Sequence, residues 1–171
     1  MFGEVEQALA TSTSESASQP NRLRIMAIVA IIVLVSVIVL GFHGSGGGGG
    51  IQSTQTVNIV NGQITVDAGD YEYYQFTVPP GAANVEAHGS FTVFGGSGND
   101  IVVLIMNLIE FFNWENGHQT GAYYDSGQLT ASNFDVPLPS GSGTYCLVYS
   151  NTFSIMNQKS VNTEANLSYT S

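Results

Sequence analysis

From residue 54 onward, apolar and polar side chains alternate with a period of two, which is the pattern of β-strands that bury one face. In the stretch 143–150, one face carries Tyr145, Leu147 and Tyr149, and the other carries Cys146 and Val148. We count about eight such strands, enough for one antiparallel β-sandwich or jelly roll. The predicted fold class is therefore all-β, with residues 54–171 forming the domain.

Turn signals between the alternating stretches predict how the strands connect. Asn61-Gly62 is the strongest short signal for a hairpin, so we predict paired strands on either side of it. The polar pair Ser150-Asn151 predicts another turn, after which a strand begins at Lys159. The strands before and after this turn would form the closing hairpin of the sandwich.

The run from Asp100 to Leu108 departs from this alternation, because it is apolar at nearly every position and rich in β-branched residues. It predicts a central strand that is buried on both faces. The next stretch, 109–117, contains three aromatic residues and ends at Asn116-Gly117, and we predict a loop cluster from Asn113 to Tyr124. One of Phe111 and Phe112 is expected in the core, and Trp114 is expected to be partly exposed.

The N-terminal part of the chain has a different pattern. Residues 1–22 are polar and predict a disordered tail. Within residues 23–42, the stretch from Ile25 to Phe42 carries no charge and is apolar on all sides, which disfavours a core helix. A cleaved signal peptide is the main alternative, but its apolar part would be shorter. We therefore predict an uncleaved transmembrane helix, followed by a glycine-rich linker over residues 43–53.

The basic residues predict the orientation of this helix. Arg22 and Arg24 stand immediately before the apolar stretch, and the next basic residue is Lys159. Because positive residues stay on the cytoplasmic side, we predict a single-pass protein of the cell membrane with a cytoplasmic N-terminus. The β-domain would then be extracytoplasmic.

Charge and cysteine content exclude several classes of function. Charged residues make up 9% of the chain and the net charge is −10. A domain whose only basic residue is Lys159 cannot neutralise a row of phosphates, so nucleic acid is excluded as a partner. Cys146 is the single cysteine, which excludes an intrachain disulfide. A lone cysteine on a strand is most often a small buried apolar residue.

The candidate binding residues lie between positions 113 and 124. Tryptophan and tyrosine on loops are favoured contacts for proteins and sugars, although the same residues are typical of a sandwich core. The candidates are Asn113, Trp114, Asn116, His118, Tyr123 and Tyr124.

Calcium is the one cofactor for which the sequence offers ligands. Oxygen donors suited to this cation cluster at two predicted turns, and they are Asp67, Asp70, Asn99 and Asp100. The same residue types cap turns and keep strand edges soluble, and we favour that interpretation. No nucleophile elbow and no paired histidines occur in the sequence, so we predict that the protein is not an enzyme and rank a hydrolase last.

The closing segment resembles the GOLD domain, a β-sandwich found in membrane cargo receptors and in some lipid-transfer proteins. The matching residues are Gly143, Tyr145, Tyr149, Asn151, Ser154 and Lys159-Ser160-Val161. The resemblance implies a module for protein or lipid interaction rather than a catalyst. Two features differ: Val148 stands where the cargo receptors have a cysteine, and their membrane span is C-terminal.

The middle of the domain resembles uncharacterised prokaryotic single-span membrane proteins, a resemblance that implies no activity. The matching stretches are 96–101, 113–118 and 123–127. Together these features predict a membrane-anchored, non-catalytic binding module that recognises a protein, and less favourably a lipid or a glycan. The alternative is a self-associating envelope or filament subunit, because pilin-like proteins also place an apolar helix before a β-domain. The glycines at 46–50 argue against it, since they break a rigid helix.

Overall fold

The computed structural model describes residues 52–95 and 98–171. The elements are β1 (Thr54–Val66), β2 (Tyr71–Val78), β3 (Ala83–Phe94), β4 (Ile101–Asn107), α1 (Leu108–Glu115), β5 (Tyr124–Leu129), β6 (Ala131–Pro137), β7 (Gly143–Ser150) and β8 (Lys159–Thr170). The predicted tail 1–22, transmembrane helix 23–42 and linker residues 43–51 lie outside the described residues. Within the part that is described, no helix is long and apolar enough to cross a bilayer.

The strands form two antiparallel sheets of four strands each, which confirms the all-β prediction. Sheet A has the order β1-β8-β3-β6, and sheet B has the order β2-β7-β4-β5. Consecutive strands belong to opposite sheets except for β4 and β5, so the chain crosses between the sheets at almost every connection. Eight strands connected in this way have the order of a jelly roll.

The main core lies between the two sheets and contains the inward-facing side chains that the alternation predicted. Tyr145, Leu147 and Tyr149 of β7 face this core, whereas Cys146 and Val148 point to the other side of sheet B. Alternate residues of β8 fill the facing side of the core. The burial of these apolar faces is the main force that holds the sheets together.

The predicted hairpin at Asn61-Gly62 is wrong, because Thr54–Val66 is one continuous strand. The long strand β8 pairs with it on both sides of this dipeptide, with Asn61 opposite Glu164 and Gly62 opposite Thr163. Gly62 uses its freedom to take a φ of 139° within the strand. Pairing with a distant strand therefore overrides the local preference for a turn.

The predicted closing hairpin is also wrong, because β7 and β8 lie in different sheets. β7 pairs with β2 and β4, and β8 pairs with β1 and β3. The segment 151–158 is therefore a crossing from sheet B to sheet A. Both strands exist as predicted, but each finds its partners elsewhere in the chain.

Residues 108–115 form the helix α1, which was not predicted and which includes the first residues of the loop cluster predicted from Asn113 to Tyr124. Asn107 caps the helix: its side chain accepts from the Glu110 N–H (2.9 Å), and the Glu110 carboxylate accepts from the Asn107 N–H (3.2 Å). The helix packs on the outer face of sheet B through Phe111, which is the phenylalanine of the predicted pair that is buried. It also explains why β4 is buried on both faces, as predicted.

The buried amide of Asn151 joins two connections at one end of the sandwich. Its Nδ2 donates to the carbonyl oxygens of Val66 (3.3 Å), Asp67 (3.0 Å) and Asn157 (2.8 Å). Its backbone N–H donates to the carbonyl of Asp70 (2.9 Å). The end of β1, the start of β2 and the crossing 151–158 are therefore held by one side chain and its backbone.

A single hydrogen-bond chain crosses the main core between the sheets. The hydroxyl of Thr163 in β8 donates to the carbonyl of Ser90 (2.9 Å), so the hydroxyl of Tyr149 in β7 donates to Thr163 Oγ1 (2.6 Å). Burial raises the pKa of the Tyr149 phenol far above its usual value, although the bond to Thr163 acts in the opposite direction. Tyr149 is therefore a neutral donor at any physiological pH.

We expect Asn151→Ala to lower the free energy of unfolding by about 2–4 kcal/mol, because buried carbonyl groups lose their donor. The measurement is urea unfolding of the full-length protein in detergent micelles, followed by the fluorescence of the single tryptophan. Asn133→Ala is the matched control on the exposed face of β6 and should change stability by less than about 0.5 kcal/mol. Equal effects of the two substitutions would contradict the structural role of Asn151.

We expect Thr163→Val to destabilise the protein more than Tyr149→Phe does. Tyr149→Phe removes one donor and should cost about 1 kcal/mol, whereas Thr163→Val leaves the buried Tyr149 hydroxyl without its acceptor and should cost about 2–3 kcal/mol. The same unfolding measurement tests the order of the two values. The reverse order would show that Tyr149 has another acceptor.

Candidate binding groove

A groove of about 410 Å³ opens on the outer face of sheet B beside α1. Its floor consists of the outward-facing side chains of β4, which are Val102, Leu104 and Met106. An apolar concavity of this volume falls within the range of small ligand sites in proteins. We name it the β4 groove.

The walls of the β4 groove come from three parts of the chain. Trp114 and the segment 120–122 line it near α1, and Ser150, Thr152 and Phe153 line it at the end where Val102 pairs with β7. Asp125 and Gln128 line its third side, on the edge strand β5. The segment 120–122 is held in place because the Thr120 hydroxyl donates to the carbonyl of Glu110 (3.2 Å).

Trp114 is half-buried, which agrees with the predicted partial exposure. Its ring packs edge-on against Tyr71, with centroids 5.0 Å apart, and lies near-parallel to Phe111 at 6.2 Å. The hydroxyl of Tyr71 donates to the carboxylate of Glu115, the residue after Trp114. The tryptophan is therefore held in a fixed position at the wall of the groove.

Of the six predicted binding residues, Trp114 lines the β4 groove and the other five do not. Asn116 closes the helix, since its Nδ2 donates to the carbonyl of Phe112 (2.7 Å). The N–H of the exposed His118 donates to the carbonyl of Asn113 (2.9 Å). These contacts define the turn after α1, and binding through Asn113, Asn116 and His118 stays a prediction.

Tyr123 and Tyr124 pack away from Trp114. The ring of Tyr124 lies 5.4 Å from that of Phe134 in sheet A, and the ring of Tyr123 lies 5.6 Å from that of Tyr145. The aromatic residues that cluster in the sequence therefore divide between the main core and the helix side of sheet B. A role in binding for the two tyrosines also stays a prediction.

The crossing 151–158 carries an apolar patch that was not predicted from the sequence. Phe153, Ile155 and Met156 are 37%, 93% and 85% exposed. The signal was the presence of three large apolar residues in a turn that is otherwise polar. We name these three residues the crossing patch. Phe153 also lines the β4 groove, so the patch and the groove are neighbours.

The crossing patch sits on an ordered turn. The Ser154 N–H donates to the carbonyl of Asn151 (3.1 Å), and the Ser154 hydroxyl donates to the carbonyl of Asn157 (3.0 Å). The amide of Asn151 binds that carbonyl as well. These hydrogen bonds fix the turn from inside and leave its apolar side chains pointing outward.

One carboxylate lines the β4 groove, and a second lies near it. Asp125 lines it, and Glu110 Oε1 lies only 3.3 Å from the position that a Cβ on Gly121 would occupy. In the described ranges the single lysine or arginine is Lys159, which is 1% exposed and lies 3.0 Å from Asp100 Oδ1. Among the described residues, the groove walls therefore contain the carboxylate of Asp125 but no ammonium or guanidinium group.

The predicted calcium ligands take part in local hydrogen bonds. Asp100 binds Lys159, Asp67 accepts from Gln158 Nε2, and Asp70 accepts from the N–H of Tyr71 (2.9 Å). Among the residues in the structure's two described ranges, no three acidic, histidine or cysteine side chains are placed to hold a metal ion.

Asn99, the remaining predicted calcium ligand, adopts a left-handed turn conformation with a φ of 45°. Its residue type suits this conformation, because asparagine tolerates positive φ better than most residues do. The hydrogen bonds and this turn geometry support the interpretation that these residues stabilise turns.

A second, polar depression of about 350 Å³ lies on the outer face of sheet A. His88, Ser90, Asp135 and Glu164 are among its lining residues, and His88 stands opposite Asp135 in the strand register. Gly89 lies in the same strand with its backbone packed closely: an added Cβ would come within 2.3 Å of the Glu164 carbonyl oxygen. A glycine inside a strand often marks such a close approach of another backbone.

No protein-family model matches this chain, and no curated protein sequence matches it. The resemblance of residues 143–161 to the GOLD domain therefore stays a prediction. The β4 groove and the crossing patch have to be interpreted from their own chemistry.

We expect Cys146 to be unreactive in the folded protein. It is fully buried, and burial, with a smaller contribution from the carboxylate of Glu115, raises the pKa of its thiol to about 12. At pH 8 the thiolate fraction should be about a thousandfold lower than in the unfolded chain, where the thiol pKa is about 8.5. Labelling by iodoacetamide with and without urea measures the ratio. Rapid labelling without urea would contradict the packing of α1 over this strand.

Proposed function

We propose that this chain is a non-catalytic binding module that recognises another protein outside the cytoplasm, anchored in the cell membrane by residues 23–42. The observation that carries the proposal is the crossing patch, Phe153, Ile155 and Met156, exposed beside the β4 groove. Large apolar side chains that are exposed together are typical of protein interaction sites.

The ordered turn beneath the patch supports this proposal. Because Asn151 and Ser154 hold the turn by hydrogen bonds, the apolar side chains are presented before a partner arrives. A site that is already ordered loses less conformational entropy on binding than a flexible loop does. The resemblance of 143–161 to GOLD domains, which implies an interaction module, agrees with this interpretation.

The position of the patch also supports it. The chain enters the domain beside Thr54, which pairs with Thr170, whereas the crossing patch lies next to the opposite end of the same strands, where Val66 pairs with Lys159. Thirteen residues of strand separate the two ends by about 40 Å. Under the proposed anchoring, the patch is remote from the point where the tether joins the domain.

Charge argues against two of the other partners that the sequence left open, a lipid and a second copy of the chain. Anionic lipid would be repelled by a domain whose one lysine is buried. Two copies of the chain would repel each other, since both carry the same excess of carboxylates. A self-associating subunit therefore remains the less favoured alternative.

The test is photo-crosslinking in intact cells that produce the full-length protein. A photoreactive amino acid at position 156 should give adducts with other proteins, and the same amino acid at position 94 is the control, because Phe94 is exposed outside the patch. Ile155→Ser should reduce the adducts at least about tenfold, as expected for a residue at the centre of an interface. Adducts with lipid alone, or with this chain alone, would contradict the proposal.

A further inference from the structure

The β4 groove has a chemical character of its own, beyond the exposed apolar patch beside it. Its floor is apolar, and Trp114 and Phe153 stand in its walls. Aromatic side chains in these positions can enclose an apolar side chain and also pack on the hydrocarbon stem of a lysine or arginine. The groove is large enough for side chains of a protein segment, but too small for a whole element.

A carboxylate stands directly at the edge of this apolar floor. Asp125 pairs in register with Leu104, and its Oδ1 accepts from the N–H of Gly127 (2.8 Å), which fixes its position. Glu110, near Gly121, adds a second negative charge on the helix side. A negative group next to an apolar surface favours a cation that carries apolar atoms close to its charge.

We propose that the β4 groove binds a basic segment of a partner protein, with an apolar side chain on the floor and an adjacent lysine or arginine at Asp125. This inference rests on the proposed function and specifies the chemistry of the partner. Charge complementarity between the groove and the segment would accelerate association and select against acidic partners.

A second copy of the chain does not fit this description through its described residues. The lysine of that copy would be Lys159, which is 1% exposed and paired with Asp100. Moving it to an interface would leave the Asp100 carboxylate without its ammonium partner and would open the end of β8. The described residues of a second copy therefore offer no lysine or arginine for the groove.

The probe for the test is a set of fluorescently labelled octapeptide pools, titrated against the full-length protein in zwitterionic micelles. One pool has a leucine or phenylalanine fixed beside a lysine or arginine, and the remaining positions are randomised. A second pool has glutamate in place of the basic residue, and a third has serine in place of the apolar residue. We expect the first pool to bind at least about tenfold more tightly than either control pool.

Substitutions then locate the binding. Asp125→Asn keeps an acceptor for the Gly127 N–H but removes the charge, and Phe153→Ser removes an exposed wall. Each should weaken the basic pool about tenfold, and added salt should weaken it further only while Asp125 is present. The matched controls are Asp135→Asn and Phe94→Ser, which change the same residue types outside the groove and should have no effect. Emission from Trp114 should shift when the basic pool binds.

Two results would overturn this inference: equal binding of the basic and acidic pools, or binding that Asp125→Asn and Phe153→Ser leave unchanged. Tighter binding to a protein with Arg22→Gln and Arg24→Gln would show that the chain's own segment around Leu23 occupies the groove, and would also overturn it. Protein adducts at position 156 without a preference for basic peptides would leave the proposed function standing. Absence of those adducts would contradict the proposed function, whatever the peptide titration shows.

Discussion

The side chain of Asn151 is the interaction on which one end of this fold depends. Its amide donates to carbonyl groups of β1, of the β1–β2 connection and of the crossing 151–158, while Asn151 Oδ1 has no hydrogen-bond partner among the described residues. The amide thus bears a desolvation cost in order to join connections that belong to different sheets. The same hydrogen bonds that close the sandwich also hold the crossing patch outward, so stability and surface chemistry at this end have a common origin.

The helix α1 determines the chemistry of the other side of sheet B. By covering β4 and β7 it creates a second apolar cluster, in which Cys146 becomes an inert buried thiol. The helix is short and covers the sheet only partly. The β4 groove lies on the remainder of the same face, and of its floor residues Val102 is half-buried whereas Leu104 and Met106 are buried. The capping box at Asn107 fixes where the helix starts and therefore where the groove begins.

Sequence periodicity predicted the strands and their buried faces well, because each face is decided by local alternation. It failed at Asn61-Gly62, because β1 continues through this dipeptide and pairs there with residues of β8 more than a hundred positions away. It also failed at the end of β7, because the next strand, β8, belongs to the other sheet. The helix was not predicted, because the interpretation of this stretch rested on its aromatic residues. The sequence does contain the start signal of the helix, since Asn107 and Glu110 have the spacing of a capping box. Trp114 was predicted as a binding residue because it lies in an aromatic-rich stretch. Phe153 was not predicted, because it lies in a turn, where no alternation indicates which side chains are exposed.

The pairing of Lys159 with Asp100 decides how the rest of the surface behaves. A domain with many carboxylates could neutralise some of them with its own lysine, but this lysine is buried to hold the start of β8 against the β3–β4 connection. This lysine does not line the β4 groove, whose wall contains the carboxylate of Asp125. Apolar contact on the floor and in the patch would supply most of the affinity, and the charges would supply selectivity and rate. In the proposed complex, the carboxylate of Asp125 at the edge of the groove would disfavour acidic surfaces and favour a basic segment with an apolar side chain.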